Sequence, residues 1–295
     1  MSSGDAHYRE AGSGPAAAAL APDVQQSCAP ARDTLFRLDR VAKRYPGTDG
    51  RSTEALACVD LEVKKGEFLA IVGPSGGGKS TLLQIVAGLT SASSGQVLLN
   101  GRPVTAPPPE AVYLFQQYSK SLFPWRTVGS NVVFAFERRP DLSLREKREK
   151  SREYLARVGL AEFFDHYPWQ LSGGMQQRVA IARALAAEPR ALLMDEPFSA
   201  VDALTRLELQ SLILDIWHKA KDLTIVLVTH DVDEAVYLAD RIAVLTQRPS
   251  SIARIFEPNL PRPRHSIETR EDPVFLRHRH ALLDLLLGSG AHAPH

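Results

Sequence analysis

The sequence predicts an α/β fold in which a largely parallel sheet is covered by helices on both faces. Three observations carry that expectation. Four short aliphatic runs, FLAIV, ALLMD, TIVLV and RIAVL, recur with helical stretches between them. Buried parallel strands read as unbroken apolar runs, and strand–helix alternation packs both faces of a sheet. The first run, Phe68 to Val72, ends in a glycine-rich loop, Gly73 to Thr81, that opens a helix. Between Thr127 and Tyr167 the alternation gives way to helical patterns, which reads as a helical subdomain inserted into the α/β domain.

Taken in order, residues Met1 to about Arg32 are rich in Ala, Gly, Ser and Pro. They hold too few large apolar side chains to build a core, so a disordered tail is expected. From Leu35, LFRLDRVAKRY reads as a strand; PGTDGRSTEAL reads as a polar loop; VDLEV begins a second set of strands leading into FLAIV. A helix runs from Lys79 to about Ala87, and GQVLLNG and AVYLFQ are further short strands. TVGSNVVFAF and LREKREKSREYLARVGL are helical, and MQQRVAIARALAA is a helix with Ser172 as its N-cap. A Pro-rich connector, PNLPRPR, precedes a last helix in PVFLRHRHALLDLLL. The chain thus divides into a tail at 1–33, a principal domain at 34–264 with its helical insert at about 120–172, and a C-terminal helix and tail at 265–295. No internal repeat is visible.

With 295 residues, 44% of them apolar, the chain can fill a sizeable core. Its 35 basic and 34 acidic residues leave a formal charge of +1, which argues against a generic nucleic-acid binder. Two cysteines, Cys28 and Cys58, are too few for a disulfide framework and read as free thiols in a reducing compartment. No run approaches the roughly 20 apolar residues that span a bilayer. PAAAALA is short and follows Asp5, Arg9 and Glu10, unlike a secretory signal. The expectation is a soluble, cytoplasmic chain, for which any membrane role requires a separate membrane partner.

Two constellations carry chemistry. Gly73, Gly78, Lys79 and Ser80 match GxxxxGK[ST] within the run Gly73, Pro74, Ser75, Gly76, Gly77, Gly78, Lys79, Ser80 and Thr81. Glycines let backbone N–H groups converge on phosphate oxygens, and the following helix N-terminus adds its dipole. Lys79 is placed to reach the β- and γ-phosphates, and Ser80 to give a hydroxyl to Mg²⁺. Downstream, ALLMDEP sets Asp195 and Glu196 at the end of a strand. Successive strand residues point to opposite faces, so the two carboxylates are assigned different tasks. Asp195 partners the Mg²⁺ held by Ser80, and Glu196 polarises an attacking water. Together these predict a P-loop NTPase core of the RecA-like kind.

A second glycine site, LSGGMQQR at Leu171 to Arg178, lies about twenty residues before ALLMDEP. SGG alone would be no more than a capped helix start. The full string resembles the signature motif of ATP-binding cassette (ABC) proteins, and from about Leu35 to Arg264 the chain is similar to the ATPase subunit of an ABC transporter. The resemblance implies an antiparallel β subdomain beside the P-loop core and the inserted helical subdomain. It implies that Tyr45 in VAKRYPG stacks on adenine. Gln116 in YLFQQ becomes the Q-loop glutamine, which contacts Mg²⁺ and links the ATP site to the membrane partner; Phe115–Gln116 fixes that choice over Gln117. Asp202 in SAVDALTR becomes the D-loop aspartate, with Val201 where leucine is commoner, and His230 in LVTHDVDEA the switch histidine on the γ-phosphate. The nucleotide is then sandwiched between two subunits, the P-loop of one facing Ser172, Gly173 and Gly174 of the other.

Three function classes compete on this resemblance: the ATPase of an importer, that of an exporter or lipoprotein-release system, and a soluble ABC protein acting on DNA or ribosomes. The last usually has two cassettes or a long coiled-coil insertion, and exporter ATPases are often fused to membrane helices. Neither feature is present here. SLFPWRTVGSNV after the Q-loop and RPSSIARIFEPNLPRPR near the C-terminus resemble the nitrate, sulfonate and taurine importer group. That implies ATP and Mg²⁺ as cofactors, a second ATPase subunit (identical or paralogous), a transmembrane permease, and indirectly a substrate-binding protein, with no nucleic acid. It also implies a peripheral position on the inner face of the membrane. Leu122, Phe123, Pro124 and Trp125 form an apolar cluster that either contacts a permease coupling helix or packs the two subdomains together.

Overall fold

The structure, a computed structural model, describes residues 33–47, 52–116, 118–220 and 222–288. The N-terminal tail and Cys28 lie outside the described residues.

The chain opens with two long antiparallel strands, β1 (Thr34–Pro46) and β2 (Ser52–Lys64), followed by β3 (Phe68–Val72) and α1 (Lys79–Val86). Next come β4 (Ser94–Leu99), β5 (Arg102–Pro103) and β6 (Ala111–Leu114). The helical region contains α2 (Val128–Val133), α3 (Leu144–Arg157) and the start of α4 (Gly173–Ala186). The α/β alternation then resumes with β7 (Ala191–Asp195), α5 (Ala203–Lys219), β8 (Thr224–Val228), α6 (Val232–Leu238), β9 (Arg241–Leu245) and β10 (Ile252–Phe256). Two helices close it, α7 (Glu268–Glu271) and α8 (Pro273–Gly288).

The strands form a six-stranded sheet in the order β10-β9-β3-β8-β7-β6 and a four-stranded antiparallel sheet in the order β2-β1-β4-β5. In the first, β9, β3, β8, β7 and β6 run parallel, and β10 pairs antiparallel at the edge. This is the expected P-loop core with an antiparallel β subdomain and an inserted helical subdomain. Alternation along the core strands sends Phe68, Ala70 and Val72 into one apolar core beneath α4, α5 and α6, and Leu69 and Ile71 into a second shared with α1 and the antiparallel sheet. Both faces are thus dry, which is why these strands read as unbroken apolar runs. From α8, Phe275 and Leu282 are fully buried in the first core, so the C-terminal helix is packed onto the domain.

One element differs from expectation. STEAL, read as loop, belongs to β2, where Thr53 pairs with Tyr45, Glu54 with Arg44 and Leu56 with Lys43. Ser52 and Thr53 are exposed on both faces at the strand's start, and from Ala55 and Leu56 it enters the core, so the polar letters belong to a solvated strand end. Cys58, expected in an apolar run, is exposed in a left-handed kink of β2 at φ 53°.

Candidate functional site

Four adjacent strands, β3, β8, β7 and β6, end at the same level: Ile71 pairs with Val228, Asp195 with Val228, and Leu114 with Met194. The loops leaving those ends carry, in that order, the glycine-rich loop, His230, the Asp195–Glu196 pair and Gln116. Carboxyl ends of parallel strands are where α/β proteins bind ligands, because loops diverge there.

The glycine-rich loop turns through Gly76 at φ 72° and Gly78 at φ 77°, left-handed conformations that side chains resist. A Cβ at Gly76 would meet nothing within 4 Å, whereas one at Gly77 would sit 2.9 Å from the Pro74 carbonyl oxygen. The loop is therefore tightly folded on itself and open on its outer side. No side chain caps α1 at Gly78, so the N-terminal N–H groups and the positive end of the dipole face the loop. Lys79 is buried and donates to the carbonyl oxygens of Gly73 and Pro74, each at 2.9 Å. Burial lowers its pKa, and Glu196 and Asp195 oppose that shift.

Asp195 ends β7 and accepts from Ser80 Oγ on Oδ1 and from the Tyr113 hydroxyl on Oδ2, both at 2.8 Å. Burial pushes the carboxyl up, and these two donors pull it back. Glu196 does point elsewhere, but strand alternation is not the cause: β7 has already ended, and Glu196 is left-handed at φ 46°. The backbone reverses at that residue and delivers its carboxylate to a different set of partners. Gln116 Nε2 donates to Glu196 Oε2 at 3.1 Å, and His230 Nδ1 lies 3.3 Å from the same oxygen. The two carboxylates thus head separate groups, Ser80–Asp195–Tyr113 and Gln116–Glu196–His230.

Tyr45, at the end of β1, keeps its ring partly exposed with its hydroxyl 3.4 Å from Thr81 Oγ1 and the Lys43 ammonium 5.0 Å from its ring centre. An aromatic face therefore borders the glycine-rich loop, where a base can stack. The remaining expected residues form a separate cluster. Ser172 caps α4 by accepting from the Met175 N–H at 3.3 Å. Asp202 caps α5, accepting from the Thr205 N–H and hydroxyl at 3.0 and 2.6 Å. These bonds hold the Asp202 carboxyl below its ordinary value. The two helix starts abut at Gly174, where a Cβ would lie 2.5 Å from Thr205 Cγ2. At Gly173 a Cβ would meet nothing within 4 Å, so nothing described in this chain requires glycine there.

Phosphate and Mg²⁺ fit the first cluster. A buried ammonium hydrogen-bonded to neutral carbonyls and a carboxyl strained by burial are each relieved by an opposite charge between them. Among the described residues no group of three or more His, Cys, Asp and Glu could hold a metal ion, so an ion here would draw further oxygens from phosphate and water.

Several residues that position the site escaped the sequence reading. Tyr113 was read only as strand, yet its hydroxyl anchors Asp195. Tyr118 and Gln177 both donate to the Pro197 carbonyl, tying the loop after β6 and the helix α4 to the turn that holds Glu196. Burial pushes the Tyr118 hydroxyl up to about 12, so it stays a donor. Asn131, fully buried, receives the Phe123 N–H at 2.8 Å and donates to the carbonyls of Phe123, Arg126 and Thr127. It fixes the loop that presents Phe123, Pro124 and Trp125. That apolar cluster divides: Leu122 is core, whereas Trp125 is 72% exposed. Tyr113, Asn131 and Gln177 lie within YLFQQ, SLFPWRTVGSNV and LSGGMQQR, yet nothing in those strings marks them as anchors; a polar residue amid apolar ones, as Asn131 is, is the one available signal.

A family model described as ABC transporter matches residues 56–199. The nitrate import ATP-binding protein NrtD of Synechococcus elongatus is 43% identical over 260 residues, 88% of this chain and 93% of that protein. The bicarbonate transport ATP-binding protein CmpC of the same species is 45% identical over 251 residues, 84% of this chain but 37% of that protein. Among solved structures, a dimeric ATP-binding cassette in a post-hydrolysis state bound to ADP and Pi superposes with a TM-score of 0.66 at 34% identity, covering 76% of this chain and 98% of that one. A glycine-rich phosphate cradle, an acidic strand end, a second glycine-started helix and this degree of similarity agree: the chain belongs to the ABC transporter family, as one of its ATP-hydrolysing subunits.

Proposed function

We propose that this subunit powers uptake of a small anion, of the nitrate or bicarbonate type, through a separate transmembrane permease. The relatives named for nitrate and bicarbonate support the substrate class. The observation that carries the catalytic reading is the Gln116–Glu196–His230 group, set apart from the Ser80–Asp195 pair at the mouth of the glycine-rich loop.

In this reading Tyr45 stacks on adenine, and the backbone N–H groups of the loop with Lys79 hold the phosphate chain. Ser80, Asp195 and Gln116 would hold Mg²⁺, which would supply positive charge against the phosphates when bound. Glu196 accepts the proton of the attacking water, oriented by Gln116 and His230, and His230 faces the γ-phosphate. Tyr113 and Ser80 donate to Asp195 and oppose the rise that burial causes in its carboxyl. Ser172, Gly173, Gly174 and Asp202 serve the site of a second ATPase subunit, so loss of the γ-phosphate removes the charge that joins two chains.

Among the described residues no helix is long and apolar enough to cross a membrane. The membrane step is therefore assigned to the permease, with this chain peripheral on its inner face, a binding protein acting upstream and no nucleic acid involved. Phe123, Pro124 and Trp125 are the proposed contact with the permease. The test is Glu196→Gln. ATP binding is retained and a nucleotide-bound dimer accumulates, while turnover falls by about 10²-fold or more. Phosphate release at the wild-type rate would remove Glu196 from this role.

A further inference from the structure

The turn that carries His230 rests on a buried carboxyl the mechanism above does not use. Glu234, in the first turn of α6, is 5% exposed and accepts from the Thr229 hydroxyl on Oε2 at 2.6 Å. Thr229 Oγ1 in turn accepts the Asp231 N–H at 3.0 Å. The residues on both sides of His230 are thus tied to one side chain. The other oxygen, Oε1, accepts from Gln210 Nε2 at 3.3 Å, and Gln210 Oε1 accepts from Arg270 Nη2 at 2.7 Å. Gln210 is 1% exposed on α5, and Arg270 belongs to α7, with its guanidinium 3.9 Å over the Tyr237 ring of α6.

This chain has a fixed polarity. Arginine only donates and an ionised carboxylate only accepts, so the amide of Gln210 can stand in one orientation. Every donor points toward Glu234, and both of its oxygens are used. The same carboxyl lines a cavity of about 50 Å³ with Glu196, His230, Asp231, Ser199, Thr229 and Arg206, so it lies directly behind the proposed catalytic pair.

We propose that Glu234 is the positioning residue for His230, and that Gln210 and Arg270 extend its hold to the C-terminal segment. The inference rests on the reading of His230 as a group that acts in hydrolysis. It also gives α7 a task in turnover.

The test is a polarity swap, read as kcat and ATP KM at pH 8. Glu234→Gln sets an amide N–H₂ against a donor and lowers kcat about tenfold with KM unchanged, since a hydrogen bond to a charged group contributes about 1.4 kcal/mol or more. Glu234→Gln with Gln210→Glu restores one donor and one acceptor at each step and returns kcat to within about twofold of wild type. With His230→Ala already present, Glu234→Gln costs nothing further, a coupling that a purely structural role would not show. The acid side of the rate profile gives a second readout. Burial raises the Glu234 carboxyl to about 7, with Asp231 adding to the rise and Arg206 and His230 opposing it. Glu196 faces it across the cavity and Arg270 stands behind Gln210. Wild type therefore loses kcat below about pH 7 along a limb that Glu234→Gln, with no carboxyl in this chain of bonds, lacks. Should Glu234→Gln fail to fold, Arg270→Ala carries the same test from outside the cavity. Wild-type kcat in Glu234→Gln, or no recovery in a folded double swap, overturns the proposal while leaving His230 in its role. Wild-type kcat in His230→Ala overturns both.

Discussion

At the scale of single residues, the site is decided by what each charged group touches rather than by which motif it belongs to. Asp195 and Glu196 are neighbours in sequence that share no hydrogen-bond partner, because the backbone turns left-handed at Glu196. Glu234 shows how far burial, helped by Asp231 and opposed by the Thr229 hydroxyl, Arg206 and His230, moves a carboxyl: from an ordinary 4.5 to about 7. Between those values the folded chain keeps a proton that the unfolded chain releases, so stability falls with rising pH across that window and is level above it. Urea denaturation of wild type and Glu234→Gln from pH 4 to pH 8 should therefore diverge, wild type losing ground from about 4.5 to about 7. Parallel curves would show that the carboxyl is not desolvated. Asn131 offers a second check. Its truncation to Ala takes the acceptor from the buried Phe123 N–H and one donor from each of three carbonyls, of which Phe123 and Thr127 keep a backbone N–H, at a cost of about 1–3 kcal/mol in chemical denaturation. Permease-stimulated turnover should fall with it, because Phe123 and Trp125 are no longer presented in one geometry.

At the scale of elements, the meeting of α4 and α5 separates glycines kept for packing from glycines kept for a ligand. Gly174 faces Thr205 with no room for a methyl group, so Gly174→Ala should cost about 1–3 kcal/mol of stability. Gly173 has open space and lies in a helix, so Gly173→Ala should leave the melting temperature unchanged or slightly higher. If Gly173 serves the nucleotide of a second subunit, that variant nonetheless loses ATPase activity. A stable, fully active Gly173→Ala would detach the second glycine site from catalysis. The C-terminal elements follow similar logic. Arg264 donates to the Tyr237 and Ala239 carbonyls at the end of α6, and Arg279 pairs with Asp233 at its start, at 2.7 Å. The helix that follows His230 is held at both ends by the segment beyond β10.

At the scale of the whole molecule, the described residues divide the expected site into two clusters on one chain. One gathers the glycine-rich loop, Asp195, Glu196, Gln116 and His230. The other gathers Ser172, Gly173, Gly174 and Asp202. If each ATP needs one cluster from each of two chains, turnover rises more steeply than linearly with enzyme concentration. Complementation follows as well. A Lys79→Ala chain and a Ser172→Arg chain, each inactive, regain activity on mixing, because a mixed dimer contains one site with both clusters intact. No recovery on mixing, with dimers present, would mean that each chain completes its own site.

The sequence alone determined the fold class and singled out the glycine-rich loop proposed to hold phosphate. Unbroken apolar runs, glycines at spacings that only a phosphate loop requires, and a capped helix start are local signals, set by backbone geometry within a few residues. Tyr113, Gln177 and the Thr229–Glu234–Gln210–Arg270 chain were not legible, because their networks join residues up to 82 apart, as Tyr113 and Asp195 are, and Asn131 was not, because its nearby partners are backbone groups with no sequence signature. Such residues are chosen by a buried donor or acceptor that must be satisfied, and which one needs satisfying depends on how the elements pack. The motifs decided what chemistry this chain can perform. Only the tertiary structure decided which side chains hold those motifs in place, because a hydrogen bond is fixed by proximity in space and leaves no period in the sequence.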